Sequence, residues 1–234
     1  MCDGMSAVRA SRDPAADVST SDWRVFAGEE LSPILRGALE MFHEHGYHGT
    51  SVRMIANRVG VTVPALYYHY ENKQAMLAAL LESGLRELVT RARQAVAESS
   101  EDPVERFANL VECLVLCMTH RLQWASLDSE LRHLDSVNRE HYAALRKEIE
   151  TLFATILHTG TQRGIFDTAG VTDTARALLG MFQAIVTWYD PAGSVSPEKL
   201  AERYVGIAAR CVGVSEQVLR WLDSRGGTRP DRTE

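Results

Sequence analysis

Residues 50–76 read TSVRMIANRVGVTVPALYYHYENKQAM, and the way this stretch divides sets the fold. From Val52 to Arg58 the apolar residues recur at helical spacing. Thr50 or Ser51 is placed to cap that helix, and Gly60 lies just past its end. A further helix is expected from Val63 to Tyr70. Thr62 can cap it, and Pro64 falls in its first turn, where a missing N–H costs nothing. Ile55, Ala56, Val59, Val61, Leu66 and Tyr70 are spaced to close one small core across Gly60. Helices of under ~12 residues are not stable alone in water, so that core is what makes them helices. Two short helices fixed at an angle across a glycine turn form a helix-turn-helix.

This core leaves Val63, Pro64, Tyr67, Tyr68 and His69 to face outward. Two aromatics and a proline are wasted on a solvated surface, and an isolated helix of this kind would read as core. Together with the cap, the turn glycine and a following Lys73, they suit a surface that meets a DNA major groove. Apolar and aromatic groups can touch thymine methyls, and hydroxyl or imidazole groups can bond phosphate oxygens. Lys73 opens the next helix, where an ammonium beside an N-terminal dipole makes an anion site.

The run ALEMFHEHGYHGTSVRMIANRVGVTVPALYYHYENKQAML, residues 38–77, resembles the N-terminal domain of the tetracycline-repressor (TetR) family of transcriptional regulators. The resemblance implies backbone or base contacts for Arg53 and Thr62, and base-edge contacts for Pro64 and Tyr68. It implies phosphate contacts for Tyr67, His69 and Lys73. Val63 stands where family members often carry a polar residue, which leaves one sequence-reading contact apolar. The resemblance also implies a homodimer whose larger C-terminal domain binds a small effector.

The rest of the 234-residue chain is expected to be helical throughout. Apolar residues recur at three and four, no strand alternation stands out, and Pro33, Pro64, Pro103, Pro191 and Pro197 mark boundaries. A first helix is expected over 31–45, stopped by Gly46, and a fourth from near Asn72 to Glu98. Later helices are expected near 103–119, 121–135, 138–160, 171–189 and 197–212. The division expected is a flexible arm over 1–28, a helix-turn-helix domain over 29–75, a ligand-binding and dimerisation domain over 76–214 and a tail over 215–234. Arg9 and Arg12 of the arm could enter a minor groove, although an arm that makes no contact is the plainer reading.

Composition narrows the class. The net charge of −6 excludes a general polyanion binder, but residues 30–77 carry four acids and four bases, so a locally neutral reading unit on an acidic body fits. No apolar run approaches the ~18 residues of a membrane span, and the N-terminal sequence does not read as a secretory signal. Four cysteines are too few for a disulfide scaffold and read as reduced thiols of a cytoplasmic protein.

The C-terminal body offers large, adaptable side chains for an effector pocket: Phe107, Cys113, Cys117, Met118, Trp124, Phe153, Met181, Phe182 and Trp188. For each of them plain core packing is the competing reading. Ala177, Gly180, Met181 and Ala184 form a small-residue stripe, and Leu200, Tyr204, Ile207 and Cys211 an apolar one. Both stripes suit a four-helix dimer interface. Residues 188–208, WYDPAGSVSPEKLAERYVGIA, resemble a subgroup of these regulators that responds to lipids or acyl-coenzyme A thioesters. For an anionic ligand Arg121, Arg146 and Arg176 are the candidate partners.

Cys113, Cys117 and His120 share one helical face, but no second ligand cluster completes a metal site, and buried cysteine behaves as a small apolar group. No metal or cofactor is expected. His43, His45 and His48 read as solvent-facing or phosphate-proximal. No fingerprint of a hydrolase, kinase or dinucleotide enzyme occurs. The expectation is therefore a DNA-binding regulator, most simply a repressor released from a palindromic operator by a hydrophobic or acyl-CoA-like effector. The alternative is a helical ligand-binding protein or enzyme without DNA-binding activity.

Overall fold

Ser32 accepts a hydrogen bond from Leu35 N (3.3 Å) and so starts α1, Pro33–Gly49, with the proline in the first turn. The computed structural model describes residues 22–26, 28 and 31–224. Gly46, at φ +69°, breaks the regular helix, and a last turn continues to Gly49. Thr50 is buried, with its Oγ1 at 2.8 Å from both Met41 O and Gly46 O, which fixes the break.

Ser51 caps α2, Val52–Val59, and Gly60 at φ +71° turns the chain into α3, Val63–His69, capped by Thr62. A left-handed backbone at Gly60 is what an L side chain resists. Ile55, Ala56 and Leu66 are fully enclosed, and Val61 and Tyr70 pack at the margin of the same core. Gly37 lets α1 and α2 meet: a Cβ there would lie 2.2 Å from Val59 Cγ1.

Asn72 caps α4, Lys73–Ala97, whose 25 residues span about 38 Å. This helix belongs to two cores. Its Met76, Leu77, Leu80, Leu81 and Leu85 join the core under α1–α3, whereas Val89, Ala92 and Ala95 join the larger one beyond. The centre of the larger core is α5, Pro103–His120, apolar on most faces and enclosed by α4, α7 and α9. Around it stand α6, Leu122–Ser126, α7, Ser136–Gln162, α8, Val171–Gln183, and α9, Pro197–Cys211. No strand occurs among the described residues.

Four expectations need correction. The helix expected over 121–135 is α6 followed by a tighter 3-10 segment, Leu127–His133, which turns Leu127 into the core under α1. The helix expected over 171–189 is regular only to Gln183. Beyond it Ile185, Val186 and Thr187 form a β-branched run in a 3-10 turn, and Thr187 Oγ1 bonds back to Ala184 O at 2.7 Å. The tail expected from 215 instead begins with α10, Glu216–Asp223, capped by Ser215, with Leu219 and Leu222 sunk into the large core.

The fourth correction concerns the arm. Within 1–28, residues 22–26 dock on the C-terminal body. Trp23 is 0% exposed among residues of α4 and α5. The buried Arg91 of α4 donates from Nη1 to Trp23 O (2.9 Å) and Val25 O (3.0 Å). Arg24 pairs with Glu112 at 2.8 Å, and Phe26 stacks on His120 with ring centroids 4.4 Å apart. Arg9, Arg12 and residues 225–234 lie outside the described residues.

Candidate DNA-reading surface and effector cavity

The third helix is anchored from one side and presented on the other. Leu66 is 0% exposed, whereas Tyr67 is half-exposed and Tyr68 is 86% exposed. Pro64 and His69 are also exposed, and the Tyr68 and His69 rings meet edge to face at 5.3 Å. Thr62 is exposed while its Oγ1 accepts from Ala65 N. Val63, expected to face outward, is half-buried against the core below. Arg53 is exposed on α2. On the far side of α2, Arg58 bridges Glu40 and Glu44 of α1 at 2.7 Å each, tying the two helices together.

Lys73 is placed differently from the open anion site that the sequence implies. Its Nζ donates to Tyr47 O (2.6 Å) and Thr50 O (2.8 Å), and it lies 4.1 Å from the Tyr47 ring centroid. Two of its three donors are thus spent on carbonyls at the end of α1, and burial lowers its pKa. The geometry is a latch between α1 and α4. The same corner joins the reading unit to the body: Tyr47 stacks on His133 at 4.7 Å, His48 meets His133 edge-on at 4.3 Å, and His133 lies 3.2 Å from Glu130. His48 therefore sits at a junction, while His43 and His45 are exposed.

A cavity of about 100 Å³ lies between α4, α5, α6, α7 and α8. Of the side chains expected there, Cys117, Met118, Trp124 and Phe182 line it. Phe107, Cys113 and Phe153 are buried elsewhere in the core, because α5 is enclosed on most faces. Met181 packs against that core without reaching the cavity. Trp188 turns outward, 53% exposed, and stacks on Tyr204. Sequence reasoning missed the contribution of α4, which supplies Leu80, Leu81, Leu85, Glu87 and Leu88, and that of Tyr142 on α7.

The cavity's charges are paired across its wall. Arg121 holds both oxygens of Glu87 at 3.1 Å, and Arg146 Nη1 lies 3.1 Å from Asp128. Tyr142 OH donates to Asp128, and burial beside that carboxylate drives the phenol pKa up. Arg176, the third candidate, is exposed and pairs with Glu150. Burial also holds the Cys113 pKa well above its ordinary value, so the thiol is not poised as a thiolate. Among the described residues no cluster of three or more His, Cys, Asp or Glu side chains could hold a metal ion. Among them, too, no helix is long and apolar enough to cross a membrane.

Comparison with known proteins assigns both halves. Residues 34–80 match the model of bacterial regulatory proteins of the tetR family, and residues 100–212 match the tetracyclin repressor-like C-terminal domain. The HTH-type transcriptional repressor KstR2 of Rhodococcus jostii is 28% identical over 196 residues, covering 83% of this chain and 93% of that protein. A tetR-family regulatory protein from Rhodococcus RHA1 superposes with TM-score 0.74 at 25% identity, over 79% of this chain and 97% of that one. KstR2 of Mycobacterium tuberculosis superposes with TM-score 0.73 at 25% identity, over 81% and 99%. With both halves matched in order and the fold shared over 79% of the chain, the chain belongs to the tetR family of bacterial regulatory proteins.

Proposed function

We propose that this protein is a cytoplasmic, homodimeric transcriptional repressor that reads a palindromic operator through α3 and is released by a small effector whose bound part is apolar. The observation that carries this is the two-sidedness of α3: Leu66 is fully enclosed while Pro64, Tyr67, Tyr68 and His69 stand in solvent on a capped, anchored helix. Residues of that kind are suited to base edges and phosphates. Arg53 on α2 and Thr62 at the start of α3 are exposed too, while Val63 is half-buried. The relatives support the regulatory reading, since KstR2 is a transcriptional repressor by name. No enzymatic activity is assigned.

The reading unit takes in α1–α3 and the start of α4; the body runs from the rest of α4 through α10. Coupling follows from α4, which carries Lys73 at the reading end and Leu80, Leu81, Leu85 and Leu88 on the cavity wall. An occupant that displaces those leucines moves the helix to which α1 is latched. Shifting the dimer from ~1:99 to ~99:1 between releasing and reading forms takes about 5.5 kcal/mol of differential affinity. For the dimer face, Ala177, Gly180 and Ala184 of the first stripe are exposed, as are Trp188, Ile207 and Cys211. Leu200 of the second stripe is turned inward and supports the fold instead.

The test is selection of genomic fragments by protein that has been unfolded and refolded to strip bound ligand. Enrichment of fragments sharing an inverted repeat is expected. Retention no better than for bulk DNA at low salt contradicts the reading.

A further inference from the structure

One side chain on the cavity wall carries an unmet hydrogen-bonding group. Trp124 is buried on its wall, and its indole Nε1–H has no acceptor among the described residues. A buried donor left without an acceptor is costly, and native folds rarely keep one without a use.

The charged groups of the wall already have partners, and Gln183 has one in the backbone. Arg121 is held by both oxygens of Glu87, Arg146 by Asp128, and Gln183 Nε2 donates to Ala125 O at 3.1 Å. An anionic ligand would have to draw Arg121 from Glu87, leaving that carboxylate to Arg91 alone, or Arg146 from Asp128, leaving it to the Tyr142 hydroxyl alone, and either exchange costs an ion pair. A neutral oxygen needs no such exchange and fills the gap at Trp124. The volume of about 100 Å³ compares with the ~150 Å³ of an apolar cavity that holds benzene. One six-membered ring or a short chain therefore fills it completely, with the lining side chains giving way slightly.

We propose that this cavity takes an uncharged, apolar compound bearing a carbonyl or ether oxygen, and that Trp124 Nε1–H donates to that oxygen. This rests on the reading of the cavity as the effector site, and it adds the ligand's chemical class and the side chain that orients it. The paired Arg121 and Arg146 hold the wall together and do not bind the ligand.

Cyclohexanone and methylenecyclohexane test it, because they differ only in =O against =CH₂. Both are titrated into the full-length protein carrying ¹⁵N-labelled tryptophan, with cyclohexanecarboxylate as the anionic comparison. The indole signal missing from Trp124→Phe identifies Trp124. Cyclohexanone is expected to move that signal downfield and methylenecyclohexane to leave it without a downfield shift. Trp124→Phe should weaken cyclohexanone about 3- to 10-fold more than it weakens methylenecyclohexane, the worth of one neutral hydrogen bond. The carboxylate should bind more weakly than the ketone.

Equal affinity for the two neutral rings, or an indole signal that cyclohexanone does not move, would overturn the proposal; a water already bonded to Nε1 would give both results. Preference for the carboxylate, or no binding of cyclohexanone, would overturn it as well. If melting curves show that Trp124→Phe has lost its fold, the ring pair and the indole shift in the wild type still decide. The effector reading fails separately: if ketones fill the cavity at Trp124 while the selected DNA stays bound, the subsite stands and its regulatory role falls.

Discussion

Truncating Tyr68 to alanine should separate DNA reading from folding. The ring is 86% exposed, and its aromatic contact is the edge of the neighbouring His69. It is not part of either core. Stability should therefore change by no more than about 0.5 kcal/mol, the range of an ordinary surface substitution. Loss of one base-edge contact is worth about 1–3 kcal/mol of discrimination, which corresponds to roughly 5- to 150-fold in operator affinity. Anisotropy titrations with a selected fragment and with a scrambled duplex of equal length measure both affinities, and urea melts measure stability. The selected fragment should lose affinity while the scrambled duplex does not. Leu66→Ala is the contrast. Leu66 is fully enclosed, so its truncation should cost about 2–5 kcal/mol and weaken binding to both duplexes as α3 loosens. Equal loss on both duplexes for Tyr68→Ala, or none on either, refutes the assignment of Tyr68 to base contact.

Three further perturbations test other parts of the structure. Lys73→Met removes the donor to Tyr47 O and Thr50 O and should lower stability by about 1–3 kcal/mol in urea; unchanged stability with a salt slope of DNA binding reduced by about one would return Lys73 to a phosphate. Gly37→Ala would bring a Cβ to 2.2 Å from Val59 Cγ1, so a loss of about 1–3 kcal/mol is expected, and a gain, as for an exposed helical glycine, would show that α1 and α2 do not meet there. His120 lies under Phe26, and burial, with Arg121 and Arg91 nearby, lowers its pKa below the ordinary 6.5 against the opposing pull of Glu198. The unfolded chain then binds the proton more readily, so this contribution to stability is complete above pH 6.5 and is lost as pH falls toward the folded-state value. Melts between pH 7.5 and 5 should show that loss in the wild type and less of it in His120→Phe; identical profiles would contradict it.

The reading unit was legible because its determinants are local. Ser51, Gly60 and Thr62 act within a few residues of themselves, and the i+3 and i+4 spacing of Ile55, Ala56 and Val59 needs no distant partner to be read. The two partners of Lys73 were hidden for the opposite reason. They are backbone carbonyls 23 and 26 residues earlier, and no side-chain pattern announces a carbonyl that needs a donor. The cavity was only half legible. Large side chains on α5, α7 and α8 are visible in the sequence, but which of them face empty space depends on how helices pack around α5. Phe107 and Phe153 meet each other at 5.5 Å and fill the core instead. On α4 one leucine-rich stripe serves the small core and the cavity together, so its second role was hidden. The docking of residues 22–26 did leave a trace: Trp23, Val25 and Phe26 stand out in a polar stretch. Its partner, the buried Arg91, looks like any other helical arginine.

Protection of guanine N7 from methylation, on a fragment retained by the refolded protein, tests most directly that α3 enters the major groove, because N7 lies on that groove's floor. Two protected patches are expected, centred one duplex turn, roughly 34–36 Å, or a multiple of it apart on an inverted repeat, and both should need roughly 5- to 150-fold more protein with Tyr68→Ala. Binding that leaves every N7 accessible, or a single patch with no symmetry mate, would contradict a dimer that reads DNA through α3.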